Sequence, residues 1–592
     1  MKDRNPPELR FSPNPNSAHL VDWRPWDQAA LEEAKRKDRL ILLSISAVWC
    51  HWCHVMDEST YSKKEIIDII NENFIPVRVD ADMRPDVDNM YNQGGWPSTV
   101  FLTPDGEIVH GGTYIPPDDM FVRLERLIEL YPAKRSMIES RFSDVKRELE
   151  MMKPTNIAPS TEQLRKVLNI IEESFDWTHG GFGSSQKFPN TDAIDLLTAQ
   201  YSDSGNTKFR EMVSITLGKM ASGDIFDHVE GGFFRYSTKR DWSIPHYEKM
   251  LADNAGIIKN YLIASAVLDE PWMTNIAERT MKYVLDNLTD LKMYRFFGSQ
   301  DADESYYIKN DRKGLKVPFI DKTTYTDSNA RMISTLTYSY CLNGNYEHLA
   351  LAERSAFFIN ESMYSPSAGV KHYYTGDTGF LSGVLSDNVL HAISLLDLYN
   401  VTGNNSYLRI ARGISDLLIK DFFIEDVDRF RPSLNTTGTS PLHTGTLNDY
   451  NTCLVNFRVS LLFARLHYHL NLDEYLNTAN KVLSSFGDIF DAYLPAAPVY
   501  GLALRWLFGD PLIFIIVAGQ EVGSNFIGQI RKIHHPEKVV RLLSPDVDRT
   551  VIEDLGLPAN VNAAYICEGK RCSRPVTEPD MIEREMQAFL KS

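Results

Sequence analysis

The sequence predicts a multidomain protein: an α/β unit over residues 1–152, an all-α ring over 160–508 and a small α/β tail over 509–592. Three observations lead there. Near the N-terminus, short apolar runs of buried-strand length alternate with helically spaced segments. From about 160 to 508 strand signals thin out, and roughly twelve amphipathic segments follow one another. After Gly509-Asp510-Pro511 the strand signals return. Twelve helices paired in sequence make six hairpins, and the lack of polar capping repeats favours a closed ring over an open solenoid.

Composition narrows the function classes. A chain of 592 residues with 43% hydrophobic and 24% charged residues is ordinary for a globular protein of several domains. The net charge of −17 argues against a nucleic-acid grip, which needs clustered Lys and Arg. The longest apolar run, Leu512–Ala518, is too short to span a membrane. No apolar region follows Met1–Pro7, so no secretory signal is expected, and a reducing, cytoplasmic location is the default. Six cysteines (Cys50, Cys53, Cys341, Cys453, Cys567 and Cys572) are too few for a disulfide scaffold.

In chain order, residues 1–20 are rich in Pro and Asn and read as irregular. Trp23–Lys37 reads as a helix with Trp26, Ala30, Leu31 and Ala34 on one face. Leu40–Ile45 is a buried strand, and Ser62–Asn73 a helix. Between them lies Trp49-Cys50-His51-Trp52-Cys53-His54-Val55-Met56. Two cysteines two residues apart at a strand-to-helix junction are what a dithiol/disulfide centre needs. Unpaired N–H groups and the helix dipole favour a thiolate on the first sulfur. Cys50 is then the attacking sulfur and Cys53 the resolving one. Three other readings stand beside this. Cys50, His51, Cys53 and His54 are zinc-type ligands, although adjacent ligands on one short segment rarely close a tetrahedron. The pair can also be a static disulfide, or inert core.

Phe74–Asp80 is the next strand; Gly94-Gly95-Trp96-Pro97 precedes the strand Ser98–Leu102, a turn at Thr103–Gly106 and a return strand Glu107–His110. This order resembles the thioredoxin fold. By that resemblance Pro97 is the cis-proline facing the dithiol, with Trp49, His51, His54 and Trp96 around it. Phe121–Met152 is helical, interrupted at Pro132, and 153–160 reads as a linker.

Within the ring, Asp176-Trp177-Thr178-His179-Gly180-Gly181-Phe182 is echoed by Asp227-His228-Val229-Glu230-Gly231-Gly232-Phe233. The densest polar cluster outside the dithiol runs from Arg235 to Asn254 and reads as the opening of a helix, with His246, Lys249, Met250 and Asp253 at helical spacing. Asp301 and Asp303 follow. The candidate pocket is His228, Arg235, Tyr236, His246, Glu248, Lys249, Asp253, Asp301 and Asp303; aromatic faces with carboxylates suit a sugar. The competing reading is that these residues cap helices and stitch loops. In the tail, Cys567 and Cys572 are expected as reduced thiols in the cell.

The whole chain resembles the spermatogenesis-associated thioredoxin-like proteins. The matching motifs are Cys50–Met56, Arg84–Asp88, Gly94–Pro97, Phe101–Gly106, Gly111–Pro117, Gly180–Gly183, Lys187–Pro189, Pro245–Leu251 with Asp253-Asn254, Asp301–Asp303, and Cys567 and Cys572 before Pro575–Thr577. The resemblance implies a thioredoxin-like domain followed by an (α/α)6 toroid similar to N-acylglucosamine 2-epimerases and six-hairpin glycosidases. Ser328-Asn329-Ala330 stands where the family has Trp-Asn-Gly, the segment between Asp88 and Gly94 is shortened, and 370–445 matches weakly. The expected function is a thiol–disulfide redox protein whose toroid binds a substrate or partner, a carbohydrate among the ligand classes. The partner expected of the dithiol is a thiol or disulfide protein, with no metal, cofactor, nucleic acid or membrane. The alternatives are a carbohydrate-active isomerase, epimerase or hydrolase, or a non-enzymatic redox sensor.

Overall fold

A computed structural model describes residues 7–151, 155–435, 449–490 and 495–591. The first unit is built on a sheet of order β2-β1-β3-β4, from β1 (Ile41–Ser46), β2 (Ile75–Asp80), β3 (Ser98–Leu102) and β4 (Ile108–Gly112). β1 and β2 are parallel, with Ile41 opposite Ile75; β3 and β4 are antiparallel additions. Every residue of β1, β2 and β3 is buried, as expected of strands covered on both faces. The helices are α1 (Gln28–Lys37), α2 (His51–Glu58), α3 (Lys64–Asn73), α4 (Pro85–Tyr91) and α5 (Pro117–Met151).

Two details differ from the sequence reading. α1 starts at Gln28 because Asp27 caps it, accepting the Ala30 N–H, so Trp26 packs from the preceding loop and not from the helix. α5 runs through Pro132 without a break. Proline removes one hydrogen bond, but packing on both sides holds the helix together: Leu124, Leu127 and Tyr131 before it and Ile138 after it share a core with Ile66, Ile67 and Ile70 of α3. Of the expected linker, Lys153 and Pro154 lie outside the described residues.

The ring follows as α6 (Thr161–Ser174), α7 (Thr191–Ser204), α8 (Thr207–Ser222), α9 (Leu251–Leu268), α10 (Trp272–Asn287), the short α11 (Glu304–Tyr307), α12 (Thr326–Asn343), α13 (Tyr346–Ser362), α14 (Leu385–Thr402), α15 (Asn405–Leu417), α16 (Tyr450–Leu470), α17 (Asp473–Ser484) and α18 (Ala497–Phe508). Leaving α11 aside, alternate helices form the inner wall. α7 packs on α9, α9 on α12, α12 on α14, α14 on α16, α16 on α18, and α18 on α7, which closes the ring. The others lie outside. The inner helices explain their own composition: α14 is buried nearly all round, since it has the ring interior on one side and its outer partners on the other.

A side-chain device repeats through the inner wall. Asn254, Asn329, Asn388 and Asn456, near the starts of α9, α12, α14 and α16, accept the backbone N–H of Phe233, Phe296, Val370 and Phe430 respectively, at 2.7–3.0 Å. Each amide also donates to the carbonyl four residues back, at the cap or in the first turn of its own helix. The long loop entering each inner helix is thereby tied to that helix. The Asp-x-x-x-Gly-Gly echo is a second stitch. Asp176 and Asp227 each cap the turn that follows, and a buried lysine closes each loop: Lys187 on Asp176 and the Gly180 carbonyl, Lys249 on Asp227 and the Gly231 carbonyl.

The tail carries a four-stranded sheet, Lys538–Leu543, Leu512–Val517, Ala563–Glu568 and Arg571–Cys572 in that spatial order. The first pair is parallel and the rest antiparallel, so the tail repeats the strand order and directions of the N-terminal sheet. Its strand-to-helix junction, Ala518-Gly519-Gln520, has no cysteine. Cys567 and Cys572 face each other across the final hairpin and are disulfide-bonded, which departs from the reduced thiols expected. Cross-strand register, invisible in the spacing alone, brings them together.

The two α/β units sit at opposite ends of the ring. The N-terminal unit meets the long loops before the inner helices, through Arg10–Asp321, His372 on the Asp82 carbonyl and Asn451–Asn89. The tail meets the inner helices' C-terminal ends, through Arg531 on the Tyr340 carbonyl, Asn400 on the Val540 N–H and Tyr399 on the Leu542 N–H.

Candidate functional site

Cys50 is the N-cap of α2. Its sulfur accepts the Cys53 N–H at 3.2 Å, and it is disulfide-bonded to Cys53. The helix-end placement read from the sequence is therefore present, together with a donor aimed at the first sulfur. Accessibility differs from the expectation: Cys50 is only 5% exposed and Cys53 2%. The exposed edge of the motif is His51 with Trp52, whose ring packs on Tyr114. Trp96-Pro97 is a cis peptide bond.

Two ring residues reach the surroundings of the dithiol. The Arg235 guanidinium lies 4.4 Å from the Trp49 ring and 4.9 Å from the Trp96 ring, bridging two rings that meet edge-on at 5.5 Å. Its own backbone N–H is held by the Glu248 carbonyl. Met250 packs against the cluster containing Trp49, Cys50 and Cys53. Arg235 and Met250 lie on the loop entering α9, whose position the Asn254 amide sets through Phe233.

A second group flanks the dithiol. His54 Nδ1 is 3.8 Å from Asp301 Oδ2, and its Nε2 bonds the Val48 carbonyl at 2.9 Å. Burial pushes His54 below the usual histidine range. Burial, and then the Glu248 and Asp303 carboxylates, push Asp301 up to about 7. His246 Nδ1 lies 3.7 Å from Glu248 Oε1, and one oxygen of each buried acid, Asp301 Oδ1 and Glu248 Oε2, has no hydrogen-bond partner among the described residues. Tyr236 stacks between Phe188 and His246, each 4.5 Å from it.

A third group lies beneath. The Trp49 indole N–H donates to Asp82 at 2.6 Å. Burial and neighbouring Asp80 push Asp82 up to about 8. His372 donates to the Asp82 carbonyl and pairs with Asp387 at 2.9 Å. Burial works against its charge, yet Asp387 lifts it to about 9. Sequence reasoning missed Asp82, His372 and Asp387, because their meeting depends on how the two units dock.

The remaining candidates separate. Lys249 and His246 are not on a helix: Pro245–His246 pairs with Tyr236–Ser237, Lys249–Met250 pairs with Ser299–Gln300, and α9 begins only at Leu251. Helical spacing misled here because loop-to-loop pairing claimed the backbone first. Lys249 is fully buried on Asp227, a stitch and not a pocket residue. His228 is exposed on the Gly223 carbonyl, away from the group. Asp303 caps α11 through the Tyr306 N–H. Asp253 stands on the first turn of α9, where burial raises its pKa against the pull of Arg235 and Arg331. Among the described residues there is no group of three or more His, Cys, Asp or Glu placed to hold a metal ion. None of the helices described is long and apolar enough to cross a membrane.

The chain is similar to several known proteins. Residues 14–153 match the Thioredox_DsbH family model, described as a protein of unknown function, DUF255. Spermatogenesis-associated protein 20 of Homo sapiens is 24% identical over 98% of this chain and 90% of its own length. The Rattus norvegicus protein is 33% identical over 51% of this chain; that alignment spans only 41% of the relative. Among solved structures, cellobiose 2-epimerase from Spirochaeta thermophila is similar over 64% of this chain and 98% of its own, at 13% identity and a TM-score of 0.47.

Proposed function

We propose that this homologue of spermatogenesis-associated protein 20 is a thiol–disulfide redox protein whose Cys50–Cys53 centre works under a roof made by its own toroid. The observation that carries the reading is the N-cap placement of Cys50, with the Cys53 N–H aimed at its sulfur. In the reduced protein the helix end favours the Cys50 thiolate. That thiolate attacks a disulfide of the partner, forming the Cys50 mixed disulfide and releasing one partner thiolate. Cys53, once deprotonated, attacks the Cys50 sulfur, forming Cys50–Cys53 and releasing the second. Two electrons pass to the partner, and a thiol reductant restores the dithiol. The roof implies that a macromolecular partner engages only after Arg235 leaves Trp49 and Trp96, whereas a small disulfide needs less movement.

Cys53→Ser should trap mixed disulfides through Cys50 in a cell extract, and the Cys50→Ser, Cys53→Ser double variant should trap none. Equal trapping by both sinks the reading; stoichiometric zinc in protein purified without added metal favours the metal alternative.

A second reading is favoured by Asp301 and Glu248. A carboxyl half-protonated near pH 7, beside a second buried acid and the stacked Phe188, Tyr236 and His246 rings, suits acid–base work on a sugar. On that reading the dithiol is accessory, or a redox sensor. A sugar-library binding screen on the Cys50→Ser, Cys53→Ser variant separates the two: saturable sugar binding lost in Asp301→Asn supports it.

A further inference from the structure

The centre of the ring holds a chamber of about 240 Å3, and its charges do not balance. The sequence reading placed aromatic and acidic residues in the ring cavity; the inner wall instead lines it with paired ions. Arg458 of α16 meets Asp192 of α7 at 2.9 Å, Lys259 of α9 meets Asp195 at 2.7 Å, and Arg465 meets Asp397 of α14 at 2.6 Å. Arg331 of α12 is left over. It lines the same chamber, and no hydrogen bond or ion pair among the described residues reaches its guanidinium.

Arg331 also has the wrong neighbour. Burial, and next the positive charge of Arg458, pull it below the usual arginine range, against the opposing pull of Asp192, Asp327 and Asp253. Arg458 itself is 8% exposed, and its buried Nε has no hydrogen-bond partner among the described residues. Of the two guanidiniums, only Arg458 has a carboxylate at contact distance among the described residues, while Asp192, Asp327 and Asp253 act on Arg331 without a contact ion pair. An uncompensated buried charge is costly unless something pairs with it. The planar guanidinium fork matches a carboxylate or phosphate with two parallel hydrogen bonds. The chamber is too small for a polymer, and Arg531 and Lys538 of the tail line its far end.

We propose that the ring interior is a binding site for a small oxyanion, the phosphate or carboxylate group of a low-molecular-weight compound, held by Arg331 and Arg458. The site is independent of the dithiol and stands whether or not Cys50 reacts.

The test uses the full-length chain, with sodium phosphate or sodium acetate titrated by calorimetry against sodium chloride at constant ionic strength. One oxyanion should bind saturably, one per chain, at least tenfold more tightly than chloride; phosphate preference assigns a phosphoryl ligand, acetate preference a carboxylate. Arg331→Met should weaken that binding at least tenfold, Arg331→Lys less, and the surface control Lys64→Met not at all. In chloride, Arg331→Met should melt no lower than the parent, because it removes a like-charge neighbour. Absence of a saturable site, or binding unchanged by Arg331→Met, overturns the proposal. So does a melting point several degrees lower for Arg331→Met in chloride, since that marks a structural arginine.

Discussion

If the ring roofs the dithiol as proposed, Arg235 is the residue through which it does so, and its removal should unmask Cys50. The side chain faces Trp49 and Trp96 at 4.4 and 4.9 Å, in a half-buried position. Cation–π contacts contribute about 0.5–1 kcal/mol at exposed sites and about 2 kcal/mol when desolvated, so Arg235→Ala should cost the closed state about 1–2 kcal/mol. At tenfold per 1.4 kcal/mol, the open population rises about 5–30-fold. The assay is iodoacetamide alkylation of the reduced protein across a range of pH, with peptide-level quantification. Two effects separate in that profile. The high-pH plateau reports access to the thiolate, while the midpoint reports the Cys50 pKa, which loss of a nearby cation can only raise. Arg235→Ala should lift the plateau by the stated factor, and Met250→Ala should lift it too, since Met250 packs on the same cluster. Cys453, fully buried in α16, is the internal reference and should not change. A Cys50 plateau unmoved in both variants would refute the roof and mean that the dithiol is reached without any opening of the ring loops.

Other outcomes follow from the same geometry. Asp301 has its folded pKa raised from 3.8 to about 7, so it stabilises the folded state most at low pH, and that contribution is lost as pH rises through about 7. The full shift corresponds to roughly 4 kcal/mol, an upper figure; Asp301→Asn should flatten the fall in urea midpoint between pH 5 and pH 8, and parallel slopes in parent and variant would count against a raised Asp301. Lys249→Met breaks an ion pair whose two side chains are 0% and 1% exposed, and should cost about 3–5 kcal/mol in denaturant melts. Asp303→Ala, which removes a cap, should cost only about 1 kcal/mol; equal losses would undo the distinction between stitch and cap. Cys572→Ser opens a short cross-strand loop and should destabilise the tail by about 2 kcal/mol under oxidising conditions, with no effect once dithiothreitol is added.

Much of the fold was legible because local signals agreed with tertiary ones. The Leu40–Ile45 run became β1, and the Cys-x-x-Cys spacing fell on the first turn of α2, because strand burial and helix capping are written in consecutive residues. The ring was legible as twelve helical segments, but not the reason it closes. The Asn254, Asn329, Asn388 and Asn456 clamps recur at irregular spacing, since the loops between them differ in length. Periodicity also failed between His246 and Asp253, where the residues sit at helical spacing yet pair as short strands with partners up to fifty residues away. The omission of Asp82, His372 and Asp387 has one cause: they meet only when the ring loops dock on the N-terminal unit, and no window along the chain contains that surface. Arg235 and Asp301 were named from the sequence, but not their places against Trp49 and His54. The same docking sets the chemistry. It places Met250 against the cluster that holds the buried dithiol and lays a cation over both tryptophans next to it. On the proposed redox reading, a dithiol cut away from its ring keeps its helix-end placement and loses the roof, so the isolated motif and the whole chain should differ in which disulfides they accept more than in whether they react.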